Sequence, residues 1–127
     1  MNSETKKLRI LVVEDEALVA MMMEDILEEL GHEVGAVASR LEDARELART
    51  GDFDLAILDV NLDGQPSYPI AEALKERGIP FAFATGYGNK GLDRSFDGIP
   101  TLAKPFVGDD VARLIREMFG IGPSPLL

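Results

Sequence analysis

An unbroken apolar run ends abruptly in acids at Ile10-Leu11-Val12-Val13-Glu14-Asp15-Glu16. Strands that are buried on both faces show this pattern, because helices cover each side of a parallel sheet. Similar short apolar runs at 55–58, 81–84 and 102–103 stop at Asp59, Thr85 and Lys104. Each run therefore predicts a buried strand with a polar residue at its carboxyl end.

Longer stretches between these strands carry apolar residues at helical spacing, beginning with Val19, Met22, Met23, Ile26 and Leu30. The consecutive methionines at 21–23 are expected to fill the core. Ser39 with Glu42 predicts a capping box at the start of the second helix. Strand followed by helix, five times over, predicts an α/β fold with a five-stranded parallel sheet, doubly wound by helices on both faces.

One segment departs from this alternation. Residues 85–100 should hold the fourth helix, yet they contain Gly86, Gly88, Gly91 and Gly98. An interior glycine costs a helix about 1 kcal/mol relative to alanine. The fourth helix is therefore predicted to be weak, frayed or conditional.

Length and composition limit the function classes. The 127 residues suit a single domain, predicted at 8–119 between a disordered N-terminus at 1–7 and a flexible tail at 120–127. The chain has no cysteine and one histidine, His32, which excludes disulfides, thiolate metal sites and clusters of histidine ligands. A net charge of −10 argues against a nucleic acid partner. No membrane span is evident, so a soluble cytoplasmic protein is expected.

The polar strand ends should meet, because ligands of open parallel sheets bind at the carboxyl ends of the strands. Carboxylates about 4 Å apart repel by roughly 4 kcal/mol per pair at an effective dielectric constant of 20. Glu14, Asp15 and Asp59 would therefore bind protons or a cation, and an all-oxygen site suits Mg²⁺. With the metal present, one carboxylate can attack a phosphoryl group, while Lys104 and Thr85 contact phosphoryl oxygens.

Two other motifs overlap the third strand end. Asp59-x-Asn61-x-Asp63-Gly64 begins like an EF-hand loop, but the twelfth position, where a bidentate glutamate is needed, is Ile70. Haloacid-dehalogenase phosphatases also begin with a phosphoryl-accepting aspartate, but they need a second aspartate where this chain has Asn61. Both alternatives are disfavoured.

Taken together, Glu14-Asp15, Asp59, Thr85 and Lys104-Pro105 resemble the motif set of response-regulator receiver domains over nearly the whole chain. Pro80-Phe81-Ala82-Phe83-Ala84-Thr85-Gly86-Tyr87 is similar to the FAT GUY subfamily, named for its Phe-Ala-Thr-Gly-aromatic stretch. The resemblance implies a flavodoxin-like fold and a stand-alone bacterial regulator. It also implies a phosphoacceptor of a two-component system with a downstream protein target, rather than a turnover enzyme.

The resemblance also assigns roles to individual residues. Asp59 would accept the phosphoryl group from a sensor histidine kinase or a histidine phosphotransferase. Asp15, with the backbone carbonyl of Asn61, would ligate Mg²⁺, and Glu14 would act through a metal-bound water. Thr85 and Lys104 would contact the phosphoryl group, and Pro105 would follow a cis peptide bond.

One position departs from the family pattern. Receivers usually have an aromatic residue three positions before the conserved lysine, where this chain has Thr101. Tyr87 is hypothesised to report phosphorylation in its place. A second functional class stays open, a pseudo-receiver that binds partners without being phosphorylated.

Overall fold

The computed structural model describes residues 7–86 and 92–120. Its elements in chain order are β1 (Arg9–Val13), α1 (Ala17–Glu29), β2 (Glu33–Ala38), α2 (Leu41–Thr50), β3 (Leu55–Asp59), β4 (Asn61–Leu62), β5 (Gln65–Pro66), α3 (Tyr68–Arg77), β6 (Phe81–Thr85), a 3₁₀ helix (Arg94–Phe96), β7 (Thr101–Ala103) and α4 (Gly108–Phe119). The predictions for the N-terminus and the tail fall almost entirely outside the described residues.

The main sheet has the strand order β2-β1-β3-β6-β7, and all its strands are parallel. This confirms the predicted doubly wound, five-stranded sheet. Val13 pairs with Leu58, and Thr85 pairs with Ala103. This register brings Glu14 level with Asp59 and puts Lys104 directly beyond the end of β7, at the same edge of the sheet.

The side chains of each strand alternate between two cores. On β1, Leu11 and Val13 face the core under α2 and α3, whereas Ile10 and Val12 face the core under α1 and α4. Burial on both faces explains why the strand sequences are solidly apolar. None of the helices within the described ranges is long and apolar enough to cross a membrane.

The prediction that all three consecutive methionines fill the core is wrong for two of them. Met23 is buried with Ala20 and Leu27, one stripe at helical spacing. Met21 and Met22 are 57% and 45% exposed. A single helix can turn only one stripe toward the sheet, so neighbours of Met23 must face elsewhere.

The predicted capping box at Ser39 and Glu42 is also wrong. Helix α2 has Arg40 as its N-cap residue, without a capping hydrogen bond from a side chain. Because the helix starts one residue later than predicted, Glu42 lies at the second helical position, where a capping box needs the third. Glu42 and Asp43 still favour the helix start, as negative charges near its positive end.

The segment predicted to hold a weak fourth helix is described only in part, because residues 87–91 lie outside the described residues. In the described remainder of the segment, the helical element is the three-residue 3₁₀ helix. The side chain of Asp93 caps it by accepting a hydrogen bond of 2.9 Å from the Ser95 amide. This part of the segment agrees with the prediction.

The surroundings of His32 predict that the stability of the folded protein depends on pH. His32 Nδ1 accepts a hydrogen bond of 3.1 Å from the Leu8 amide, and burial lowers the pKa of His32 below its usual 6.5. The unfolded chain therefore binds this proton more tightly, and protonation would remove the acceptor from Leu8. We expect the free energy of unfolding to fall as the pH drops below about 6.5.

Urea unfolding of wild type and His32→Gln, from about pH 8 to about pH 5, measures this effect. The stability difference between the two proteins should shift in favour of the variant at acidic pH. A difference that does not change with pH would contradict the prediction.

Candidate functional site

Three carboxylates meet at the carboxyl edge of the sheet. Glu14, Asp15 and Asp59 each place a carboxylate oxygen within 4.8 Å of the others. Glu14 is 5% exposed, and the other two are half-buried. The structure thus brings together the three acids that the sequence placed at two separate strand ends.

Lys104 is the cation of this cluster. Its Nζ lies 3.0 Å from Glu14 Oε1 and 3.3 Å from Asp59 Oδ2. Burial acts to lower the pKa of Lys104, but the two carboxylates outweigh it and raise that pKa. A single lysine charge against three carboxylates leaves an excess of two negative charges when all are ionised.

Glu14 and Asp59 are correspondingly hard to ionise. Burial, aided by the charge of Asp59, raises the pKa of Glu14 to about 7 against the hydrogen bonds from Lys104 and the Glu16 amide. Burial also raises the pKa of Asp59, although Lys104 and the Asn61 amide oppose it. A divalent cation would offset this excess charge, and the donor set of carboxylate oxygens fits Mg²⁺.

A short hairpin borders the acidic cluster. Strands β4 and β5 are joined by Asp63 and Gly64, whose φ values of 49° and 85° fit a two-residue type I′ turn. The Asn61 amide donates to Asp59 Oδ1 at 3.3 Å, and the Asp63 amide donates to Asp15 Oδ2 at 2.9 Å. Sequence reasoning missed this element, although the Asp-Gly dipeptide is a recognised hairpin signal.

An open cleft of about 490 Å³ lies beside the acidic cluster and brings further predicted site residues together. Its lining includes Asp59, Asn61, Thr85 and Lys104. Thr85 is 5% exposed at the end of β6. The Lys104–Pro105 peptide bond is cis, the geometry that the resemblance implies. The hypothesis that Tyr87 reports phosphorylation concerns a residue that lies outside the described residues.

This fold and cleft agree with the family comparison. The response regulator receiver domain matches residues 10–116, and the chain belongs to this family. Receiver domains are signalling domains of two-component systems, generally not turnover enzymes. They bind Mg²⁺ at an acidic pocket and interact with kinases or phosphotransferases. The cluster of Glu14, Asp15 and Asp59 corresponds in composition to that pocket.

Individual relatives sharpen the comparison. SdrG from Sphingomonas melonis Fr1 has a solution structure 44% identical to this chain, with a TM-score of 0.77, covering 90% of this chain and 96% of that one. A second SdrG structure, in the BeF3-activated conformation, is 43% identical to this chain, with a TM-score of 0.75, covering 93% of this chain and 98% of that one. The receiver domain of Erythrobacter litoralis PhyR is 25% identical to this chain, with a TM-score of 0.81, covering 98% of this chain and 99% of that one.

The curated relatives are longer proteins. TcrA, a transcriptional regulatory protein of Mycobacterium tuberculosis, is 33% identical over 92% of this chain and 48% of its own length. The chain spans about half the length of the curated relatives it matches.

Proposed function

We propose that this chain is a phosphoacceptor that takes a phosphoryl group onto Asp59 from the phosphohistidine of a sensor histidine kinase or a histidine phosphotransferase. The observation that carries the proposal is the position of the Asp59 carboxylate, within 4.8 Å of two other acids and 3.3 Å from Lys104 Nζ. In the transfer, an Asp59 oxygen forms a bond to phosphorus while the phosphorus–nitrogen bond breaks. The histidine imidazole leaves and takes up a proton.

Each neighbouring residue has a task in this proposal. Asp15, Asp59 and the Asn61 carbonyl would hold Mg²⁺, with Glu14 acting through a metal-bound water. The bound ion supplies positive charge that offsets the acids and attracts phosphoryl oxygens. Lys104, already beside Asp59, pairs with the transferred group. Thr85 donates a hydrogen bond to another phosphoryl oxygen from the end of β6.

The donor protein needs a surface beside the cleft. Helix α1 begins directly after the acidic motif, and its first two turns expose Leu18 by 78%, Met21 by 57% and Met22 by 45%. A contiguous exposed apolar patch is typical of a protein interface. We assign the kinase or phosphotransferase to this face of α1. A downstream protein target would recognise the surface that changes around Thr85 and Lys104.

The subfamily assignment is part of the same proposal. Strand β6 consists of Phe81-Ala82-Phe83-Ala84-Thr85 and ends with Thr85 at the cleft. This placement supports the assignment to the FAT GUY subfamily. The first four residues of β6 are apolar and buried, so the hydroxyl of Thr85 is the polar group that the strand brings to the site.

Asp59→Asn tests the proposal directly. Wild type mixed with Mg²⁺ and a small acyl phosphate should gain the mass of one phosphoryl group, whereas Asp59→Asn should gain none, because a carboxamide is not a nucleophile for phosphorus. Asp63→Asn is the matched control, since it removes one charge from the same cleft and leaves Asp59 intact. Intact-mass spectrometry and phosphotransfer from candidate kinases provide the measurements.

The pseudo-receiver alternative predicts the opposite outcome. A wild-type protein that no acyl phosphate or phosphohistidine donor modifies, in the presence of Mg²⁺, would favour a binding module. The intact acid cluster with Lys104 supports the phosphoacceptor, as does the BeF3-activated conformation of SdrG, because that ion mimics a phosphoryl group.

A further inference from the structure

The register of the β4–β5 hairpin determines where the backbone of Asn61 points. Leu62 pairs with Gln65 next to the turn, and Asn61 pairs with Pro66. In a two-residue hairpin the pair beside the turn makes the hydrogen bonds, so the next pair has its N–H and C=O groups directed outward. Pro66 has no N–H to lose at that position. The Asn61 amide reaches outward to Asp59 Oδ1 at 3.3 Å. Strand geometry directs the carbonyl of a residue at a non-hydrogen-bonded pair to the same side as its amide.

The turn of the hairpin directs a second amide at the site. Asp63 donates from its backbone N–H to Asp15 Oδ2 at 2.9 Å, across 48 residues of sequence. This contact depends on left-handed backbone at Asp63 and Gly64, with φ values of 49° and 85°. Aspartate, asparagine and glycine tolerate that conformation, whereas most residues do not.

The hairpin is itself firmly anchored. Leu62 is 2% exposed and belongs to the core under α2 and α3. Directly after the hairpin, the Ser67 amide donates to the Val60 carbonyl at 2.8 Å, which closes its base. The two outward amides are therefore presented from a fixed support.

We infer that the β4–β5 hairpin is the positioning element of the magnesium site, and that its two amides set the Mg²⁺ affinity by holding Asp15 and Asp59. The inference rests on the proposed Mg²⁺-dependent function. Each amide engages one carboxylate oxygen, which fixes the rotation of the side chain, and the other oxygen of Asp59 lies 3.3 Å from Lys104 Nζ. Hydrogen-bond partners of metal ligands typically change metal affinity by about 10- to 100-fold.

A pair of substitutions at Asp63 tests the backbone contact together with the turn that directs it. Asp63→Pro removes the donor N–H and is incompatible with a positive φ, because proline fixes φ near −65°. Asp63→Asn removes the same charge but keeps the N–H and tolerates the left-handed backbone. We expect Asp63→Asn to bind Mg²⁺ within a few-fold of wild type, and Asp63→Pro about 10- to 100-fold more weakly, by calorimetric titration with Mg²⁺ alone.

Two further measurements separate positioning from mere loss of structure. The titrations are made well below the melting temperature of each variant, where a lowered stability leaves the protein folded and its Mg²⁺ affinity unaffected. In wild type, the amide resonances of Asn61 and Asp63 should shift with the same Mg²⁺ dependence as the calorimetric curve. This second readout decides the question even when Asp63→Pro does not fold.

The outcomes distinguish this inference from the proposed function. The positioning role would be overturned if Asp63→Pro and Asp63→Asn bound Mg²⁺ with equal affinity. It would also be overturned if the amide resonances of Asn61 and Asp63 did not shift while the protein bound Mg²⁺. Either result would leave the proposed phosphorylation of Asp59 unaffected. A wild-type protein that binds no Mg²⁺ would instead overturn the magnesium site itself.

Discussion

Glu14→Gln is expected to stabilise the Mg²⁺-free protein at pH 8 by up to about 3 kcal/mol. Burial raises the pKa of Glu14 from 4.5 to about 7, so ionising this side chain costs more in the folded protein than in the unfolded chain. The rise in pKa from 4.5 to about 7, at about 1.4 kcal/mol for each pH unit, corresponds to a cost of about 3 to 4 kcal/mol. Glutamine has nearly the same size and removes the charge, but its single side-chain oxygen can accept from only one of the two donors that bond to different oxygens of Glu14, the Glu16 amide and Lys104 Nζ. The gain in stability is therefore smaller than the full cost of ionising Glu14.

The direction of the pH dependence follows from the raised pKa. The folded protein binds the Glu14 proton more tightly than the unfolded chain, so this residue makes wild type less stable as the pH rises from about 4.5 to about 7. The advantage of Glu14→Gln should therefore be small at pH 4.5, grow across that window and level off above it. Urea unfolding in the presence of a chelator measures the difference.

A matched control comes from an exposed glutamate. Glu46→Gln changes the same functional group at a side chain that is 64% exposed, and its stability at pH 8 should stay close to that of wild type, because exposed ion pairs contribute little. A Glu14→Gln protein that is no more stable than wild type at pH 8 would contradict the prediction. Adding Mg²⁺ should narrow the difference, because a ligand at 100 times its dissociation constant stabilises the folded wild type by about 2.7 kcal/mol, and the variant lacks one of the three acids. The site thus holds charges at a cost in stability that ligand binding offsets.

The position of the site could be predicted from the sequence because it depends on strand ends. Solid apolar runs fix where each buried strand stops, and parallel pairing then brings those ends to one edge. Glu14, Asp59, Thr85 and Lys104 needed only this rule to be placed together. The actual distances, such as 3.0 Å between Lys104 and Glu14, depend on side-chain packing and required the structure.

The missed features depend on interactions that periodicity does not encode. The methionine run fits a buried helical stripe in more than one rotation, and only the packing of α1 shows that Met23 faces inward. The helix start at Leu41 shifted the expected capping box out of register. The β4–β5 hairpin has strands of two residues, too short for an alternation pattern, so Asp63-Gly64 was its single local signal.

Phe96 anchors the segment that follows the site. Its ring stacks on Tyr68 with centroids 5.0 Å apart and meets Phe83 edge-on at 5.6 Å. The Asp93 amide also donates to the Tyr68 hydroxyl at 2.9 Å. This cluster fixes the 3₁₀ helix to α3 and β6, the strand that ends at Thr85. The far end of the segment beyond Thr85 is therefore held by aromatic packing.

Phe96→Ala should lower the free energy of unfolding by about 3 kcal/mol, because it empties a site that is 2% exposed. The loss is expected at the lower end of the range for phenylalanine because residues 92–99 lie outside the sheet, where the chain can relax around the missing ring. Hydrogen exchange should accordingly quicken most at the amides of Phe96, Asp97 and Ile99, which bond within this segment. Phe119→Ala, at a half-buried ring near the end of α4, is the control and should cost less. Equal losses in the two variants, with unchanged exchange at 96–99, would show that Phe96 does not anchor the segment.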